Sequence, residues 1–177
     1  MFKKLRSRNP FDKTLYIDEM TTMIDKAISR LQAEKLDFKI YTASIWTDPN
    51  AAVSSISFDS KENSLNKVKK SNEWSKKYYD QYIEEGDIGQ AELFKPIEGT
   101  RVCNPADFEL RDFEEIAHKS FPANWETDTN GNCWKDLEPA LTQIGEIYFL
   151  KIKNLNIEEG FELSTNGEQD WYDKTWQ

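Results

Sequence analysis

The chain has 177 residues, 38% of them apolar and 13% aromatic, which is enough for the core of one ordinary domain. Its formal charge is −9, and it holds two cysteines and one histidine, too few ligands for a structural zinc site, which typically takes four Cys or His. No run of about 18 apolar residues occurs, and the basic start MFKKLRSRNPFDK leads into no apolar stretch, so a membrane helix and a signal peptide are set aside and a cytoplasmic protein with reduced thiols is expected.

Residues 1–10 carry Lys3, Lys4, Arg6 and Arg8 without apolar periodicity and predict a mobile basic arm, with a single globular domain over 11–177. Ile17, Met20, Ile24, Ala27, Ile28 and Leu31 recur at three and four residues, the period of an amphipathic helix over 14–36. FKIYTASIW and AVSSISF, rich in aromatic and β-branched residues and joined by TDPN, predict two consecutive strands ending at Phe58. Asp59 or Ser60 then caps a helix carrying Leu65, Val68, Tyr79, Tyr82 and Ile83 on one face. Trp74 falls on the opposite side with Lys67 and Lys70. Either the helix breaks near Ser71-Asn72, letting Trp74, Tyr78 and Tyr82 form their own stripe, or the indole is an exposed recognition element.

AELFKPIEG predicts a short edge strand, since Pro96 fits a central one poorly. Asn104 as cap and Pro105 as first residue predict a third helix with Ala106, Leu110, Phe113 and Ala117 inward, running to Pro122. A fourth helix is expected from Cys133 or Glu138, with Leu137, Leu141 and Ile144 inward, Pro139 starting or kinking it, and Gly145 closing it. EIYFLKIK (146–153) and GFELS near Phe161 predict strands before an Asn166-Gly167 turn and an aromatic tail with Trp171, Tyr172 and Trp176. The order predicts an α+β fold: a mainly antiparallel sheet of about four to five strands with about four helices packed largely on one face.

Motifs for chemistry are sparse. There is no GxSxG, GxGxxG or GxxxxGK[ST], and His118 pairs on paper only with Cys103 or Cys133. Paired acids such as Glu84-Glu85, Glu114-Glu115 and Glu158-Glu159 are too common in this chain to mark a general acid and base. The segment ETDTNGNCWKDLE (126–138) alternates oxygen side chains around Gly131, as a calcium loop does, but Leu137 stands where the bidentate glutamate belongs and Trp134 occupies the ninth place. It is therefore read as an acidic turn, and neither metal nor cofactor is expected. Lysines 67, 69, 70, 76 and 77 interleave with Trp74, Tyr78 and Tyr79, a pattern open to single-stranded nucleic acid but opposed by the overall charge.

That charge is uneven. Residues 1–83 hold 15 Lys and Arg against 11 Asp and Glu, or +4, and residues 84–177 hold 8 against 21, or −13. A field of that sign repels nucleic acid and membranes and steers in a basic partner.

FKIYTASIWTDPNAAVSSISFDSKENSLNKV (38–68), a hairpin with a tyrosine-bearing first strand and a Ser-rich second strand leading into a capped helix, resembles small bacterial proteins of the immunity type, from polymorphic or contact-dependent toxin systems. The resemblance covers about a third of the chain and carries no functional residue across. It implies a non-catalytic protein that neutralises a cognate toxin domain, basic and of the nuclease kind for example. Surface residues flanking predicted turns, Glu126, Asp128, Asp136, Glu158 and Glu159, together with Trp74, are the expected contacts. A carboxylate-dependent small enzyme and an interaction module unrelated to toxins are the alternatives.

Overall fold

A computed structural model describes residues 10–177; the basic arm expected over 1–10 lies outside them except for Pro10. The fold is α+β, a five-stranded mixed sheet with four helices packed near one face.

Helix α1 spans Lys13–Glu34, opened by Asp12, whose carboxylate accepts the Leu15 N–H at 3.0 Å. Strands β1 (Ile40–Asp48) and β2 (Val53–Ser60) form the expected hairpin. Helix α2 (Lys61–Glu85) is capped by Ser60, helix α3 spans Ile88–Leu93, and strand β3 spans Leu110–Ala117. Helix α4 runs Trp134–Ile152 and strands β4 (Ile157–Thr165) and β5 (Lys174–Trp176) close the chain. The sheet order is β3-β2-β1-β4-β5, with β1 and β4 parallel and the other pairs antiparallel.

Strand alternation sorts the sheet into two chemistries. Ala43, Ile45, Ile56, Phe58, Phe161 and Leu163 meet α1 through Tyr16, Met20, Ile24, Ala27 and Leu31, and α4 through Leu137, Leu141, Ile144, Tyr148 and Ile152. The intervening residues Thr42, Ser44, Ser55, Ser57, Asp59, Glu162 and Ser164 are polar yet also buried. Arg101, from the segment after α3, serves this polar side: it donates to the carbonyls of Tyr41 (2.7 Å) and Gly160 (2.6 Å), to the Thr42 hydroxyl, and stands 3.4 Å from Glu162. The Ser44 and Ser164 hydroxyls, directly opposite in the β1–β4 ladder, have no hydrogen-bond partner among the described residues.

Five expectations are corrected. The third helix is only a 3-10 turn, Pro105–Asp107, although its cap is real: Asn104 accepts the Ala106 N–H at 3.0 Å. Beyond it lies β3, where Asp112, at φ 45°, bulges the strand so that Leu110 and Glu114 oppose Phe58 and Ile56. The added residues bring Leu110 and Phe113 to the core at a spacing of three, which mimics a helix. Glu114 there is buried and takes Lys26 at 2.6 Å and Arg30 at 3.1 Å, fastening this edge strand to α1.

The expected edge strand in AELFKPIEG is instead the end of α3, with Pro96 just beyond it. EIYFLKIK is not a strand but the second half of α4. Its buried residues, Tyr148 and Ile152, continue the spacing of Leu141 and Ile144, whereas Ile147 and Leu150 are exposed, so packing overrides the strand propensity of Ile147, Tyr148 and Phe149. Gly145 does not close that helix. It lies inside, where an added Cβ would stand 2.1 Å from the Trp176 indole.

Finally, α2 does not break near Ser71-Asn72. Trp74 stays exposed, and the stripe Trp74, Tyr78, Tyr82 forms on the unbroken helix by packing around Phe94, which follows α3, with ring centroids 4.8–5.5 Å apart.

Candidate functional site

The parallel strands β1 and β4 end side by side, and the chain turns at their carboxyl ends frame a cleft. After β1, the Asp48 carboxylate accepts the N–H groups of Asn50 (2.8 Å) and Ala51 (3.0 Å), fixing the hairpin turn. Asn50 then donates to the Trp125 carbonyl at 2.6 Å, tying that turn to the 3-10 turn Ala123–Thr127. After β4, the Asn166 amide pairs with both the N–H and C=O of Thr47 at 2.9 Å, extending the ladder by one side chain. The Gly167 N–H donates to Asp170 O at 2.8 Å, closing a turn that carries Glu168. Gly131, at φ 66°, lets Glu168 come so close that an added Cβ would lie 1.9 Å from its Oε1.

The resulting cleft has a volume of about 280 Å³. Trp46, Trp134 and Trp171 line it with Asp48, Glu168 and Asp170, and no Lys or Arg is among the described residues that do so. Trp46 and Trp171 stack with centroids 6.1 Å apart and planes 11° from parallel, and Trp171 remains 54% exposed. With Asp48 holding its turn, Glu168 and Asp170 beside the indoles favour a cation: the rings supply negative electrostatic potential and the acids supply charge.

The six surface residues expected from the sequence do not converge. Glu126 is exposed in the 3-10 turn, and Asp136 is exposed in the first turn of α4, two residues from Trp134. Asp128 instead serves its own loop: its carboxylate accepts the N–H groups of Cys133 (2.7 Å) and Asn130 (3.2 Å) and the Asn132 amide (3.3 Å). Those bonds, the Cys133 N–H first, hold it below the usual carboxylate range. Glu158 and Glu159 start β4 and so lie at the other end of the sheet, roughly 25–30 Å away by strand rise. Trp74 belongs to the α2 aromatic cluster. The cleft residues Trp46, Asp48, Glu168, Asp170 and Trp171 were missed. Only the TDPN and Asn-Gly turn signals beside them marked the place.

A second polar constellation begins at Thr47 and runs inward. Its hydroxyl lies 3.1 Å from Tyr16 Oη and 2.6 Å from Ser54 Oγ; Ser54 Oγ is 2.7 Å from His118 Nε2, and His118 Nδ1 is 2.9 Å from Glu19. Glu19 also accepts from the Lys119 N–H (2.9 Å) and the Ser120 hydroxyl (2.7 Å). Burial disfavours the Glu19 carboxylate, but those donors together with His118 outweigh it and set its pKa below the ordinary value.

A charged acceptor at Glu19 places the imidazole proton on Nδ1, so Nε2 accepts from Ser54, which accepts from Thr47, which accepts from Tyr16. Burial pushes the Tyr16 phenol up, keeping it a donor, and lowers His118 against the opposing pull of Glu19. Ser54, His118 and Glu19 here have the spacing of a nucleophilic triad, and positions 19, 54 and 118 share no motif in the sequence that would join them. Ser54 is 0% exposed. With Glu19 and Ser54 on its two ring nitrogens, His118 has no site left for Cys103 or Cys133. Burial raises both thiols, Cys133 to about 11, so neither is an activated nucleophile.

Among the described residues no group of three or more His, Cys, Asp or Glu is placed to hold a metal ion, and no helix is long and apolar enough to cross a membrane. Comparison of the chain with protein-family models, curated proteins and solved structures finds no match.

Proposed function

We propose that this chain is a non-catalytic immunity-type protein that captures a basic toxin domain in the cytoplasm, seating a cationic side chain of that domain in the Trp46–Trp171 cleft. The observation that carries the reading is the lining itself: three indoles and three carboxylates with no opposing base. The −13 charge of residues 84–177 supplies the long-range field that speeds encounter with a basic surface. Exposed tryptophan at the mouth is the residue type that concentrates binding energy. Glu126 and Asp136 extend the acidic rim, and Asp128 keeps the loop in shape.

Co-expression with the product of the adjacent reading frame, followed by pull-down, tests this. A complex that weakens as salt rises, with a neighbour that arrests growth when expressed alone, is the expected result. Normal growth with the neighbour alone, and no complex, overturns it. The enzyme alternative draws on one observation, the Ser54–His118–Glu19 spacing. It requires Ser54 to be reached by a reagent, so covalent labelling of Ser54 by a fluorophosphonate would favour it over the binding reading.

A further inference from the structure

Helix α2 has 25 residues, about 37 Å of length, and only Ser64 among them is buried. Six of the ten exposed large apolar side chains of the described residues, Leu65, Trp74, Ile83, Ile88, Leu93 and Ile97, fall on α2 and the segment folded back along it. The Asn72 amide holds that returning segment by both Ile97 N–H (2.8 Å) and Ile97 O (3.0 Å). The arm is thus ordered on itself, and one face of α2 leaves the Trp74 indole 55% exposed, an apolar group open to a partner.

Its charge says with what. Residues 61–77 hold six lysines and two glutamates, or +4, whereas residues 78–94 hold five acids and no base, or −5. The sign changes at Lys77-Tyr78. A surface with that gradient is complementary to itself when turned end for end.

We propose that the α2–α3 arm binds a second copy of this chain, two α2 helices lying antiparallel about a two-fold axis near Lys77-Tyr78. Lys70, Trp74, Lys77, Gln81 and Glu84 follow one another at alternating spacings of four and three and so share a helix face. Across the axis, Lys70 of each copy lies alongside Glu84 and Glu85 of the other, and Trp74 of each lies against Gln81 of the other. The interface is isologous, so both ends gain the same ion pairs. It is separate from the Trp46–Trp171 cleft and does not depend on the function assigned there.

Light scattering coupled to size exclusion tests the proposal on the full chain. The expected mass is twice the 20.7 kDa of one chain. K70E alone and E84K/E85K alone each place like charges opposite one another and should dissociate at least tenfold more readily. Mixed in equal amounts, they should recover the dimer, because every reversed pair then meets its opposite. These positions are exposed, and unchanged circular dichroism confirms that each variant folds. A single-chain mass for the wild type at roughly 100 μM, a hundredfold above a Kd of about 1 μM, overturns the proposal. So does a dimer that both charge variants leave intact, or a mixture that stays monomeric.

Discussion

Thr47 stands where two polar constellations meet, and they are built on opposite terms. Inward, its hydroxyl joins Tyr16, Ser54, His118 and Glu19 in a chain in which every donor has an acceptor and Ser54 has no exposure. Outward, its backbone meets Asn166 at the edge of a cleft lined by Glu168 and Asp170, and by Asp48, whose carboxylate holds the hairpin turn. The first holds the groups that nucleophilic chemistry uses, closed into the core. The second has room for a ligand and acidic charge with no Lys or Arg among the described residues that line it. Satisfied hydrogen bonds fix structure, whereas surplus charge at an aromatic opening attracts, and under the proposed function stability belongs to one region and binding to the other.

Breaking the inner chain should have the largest effect. His118→Ala removes the link between Ser54 and Glu19 and is expected to destabilise the fold by about 3 kcal/mol in urea unfolding, with no loss of partner affinity under native conditions. The same chain predicts the pH response. Because the folded pKa of His118 lies below its ordinary 6.5, the unfolded state takes up a proton that the folded state excludes. Stability is full above that value and is lost as pH falls through the lowered folded pKa. Glu19, also lowered, adds a further loss below about 4.5. Thermal midpoints measured from about pH 8 to pH 5 should fall on acidification, and the part below pH 6.5 should vanish in His118→Gln.

The outer cleft should respond in the opposite way. Trp171→Ala is expected to change stability by less than about 0.5 kcal/mol, since the side chain is half exposed, and to weaken partner binding at least tenfold, about 1.4 kcal/mol, by calorimetry. The smallest effect is expected where hydroxyls join neither constellation. Ser44→Ala with Ser164→Ala removes two buried groups that have no partner, and the double variant should match or slightly exceed the wild-type stability.

How far the sequence foretold these regions depends on where the information lies. The helix over residues 14–36, the hairpin joined by TDPN and the strand at GFELS were legible because each carries its own period and turn residues. Residues 110–117 misled because a bulge at Asp112 replaces alternation with a spacing of three. Residues 146–153 misled because Ile147, Tyr148 and Phe149 favour strand locally while burial of Tyr148 and Ile152 continues a helix. Gly145 looked like a helix end, and its reason, the Trp176 ring, lies 31 positions further along the chain.

The candidate site was less legible still. The alternating acids of 126–138 drew attention to a turn that does adjoin the cleft through Gly131 and Trp134, but Asp128 there is committed to backbone N–H groups. Trp46 and Trp171 meet across more than a hundred residues, and nothing local to either announces the other. The uneven charge was readable, but charge has no position until the chain is folded.

The most direct test is the affinity of the partner captured by co-expression, measured for the wild type and for Trp171→Ala combined with Asp170→Asn, at low and at high salt. An outer cleft that recognises a cation predicts at least a tenfold loss in the double variant, a shallower salt dependence than the wild type, and unchanged unfolding curves. Equal affinity and equal salt dependence in the two proteins would contradict it.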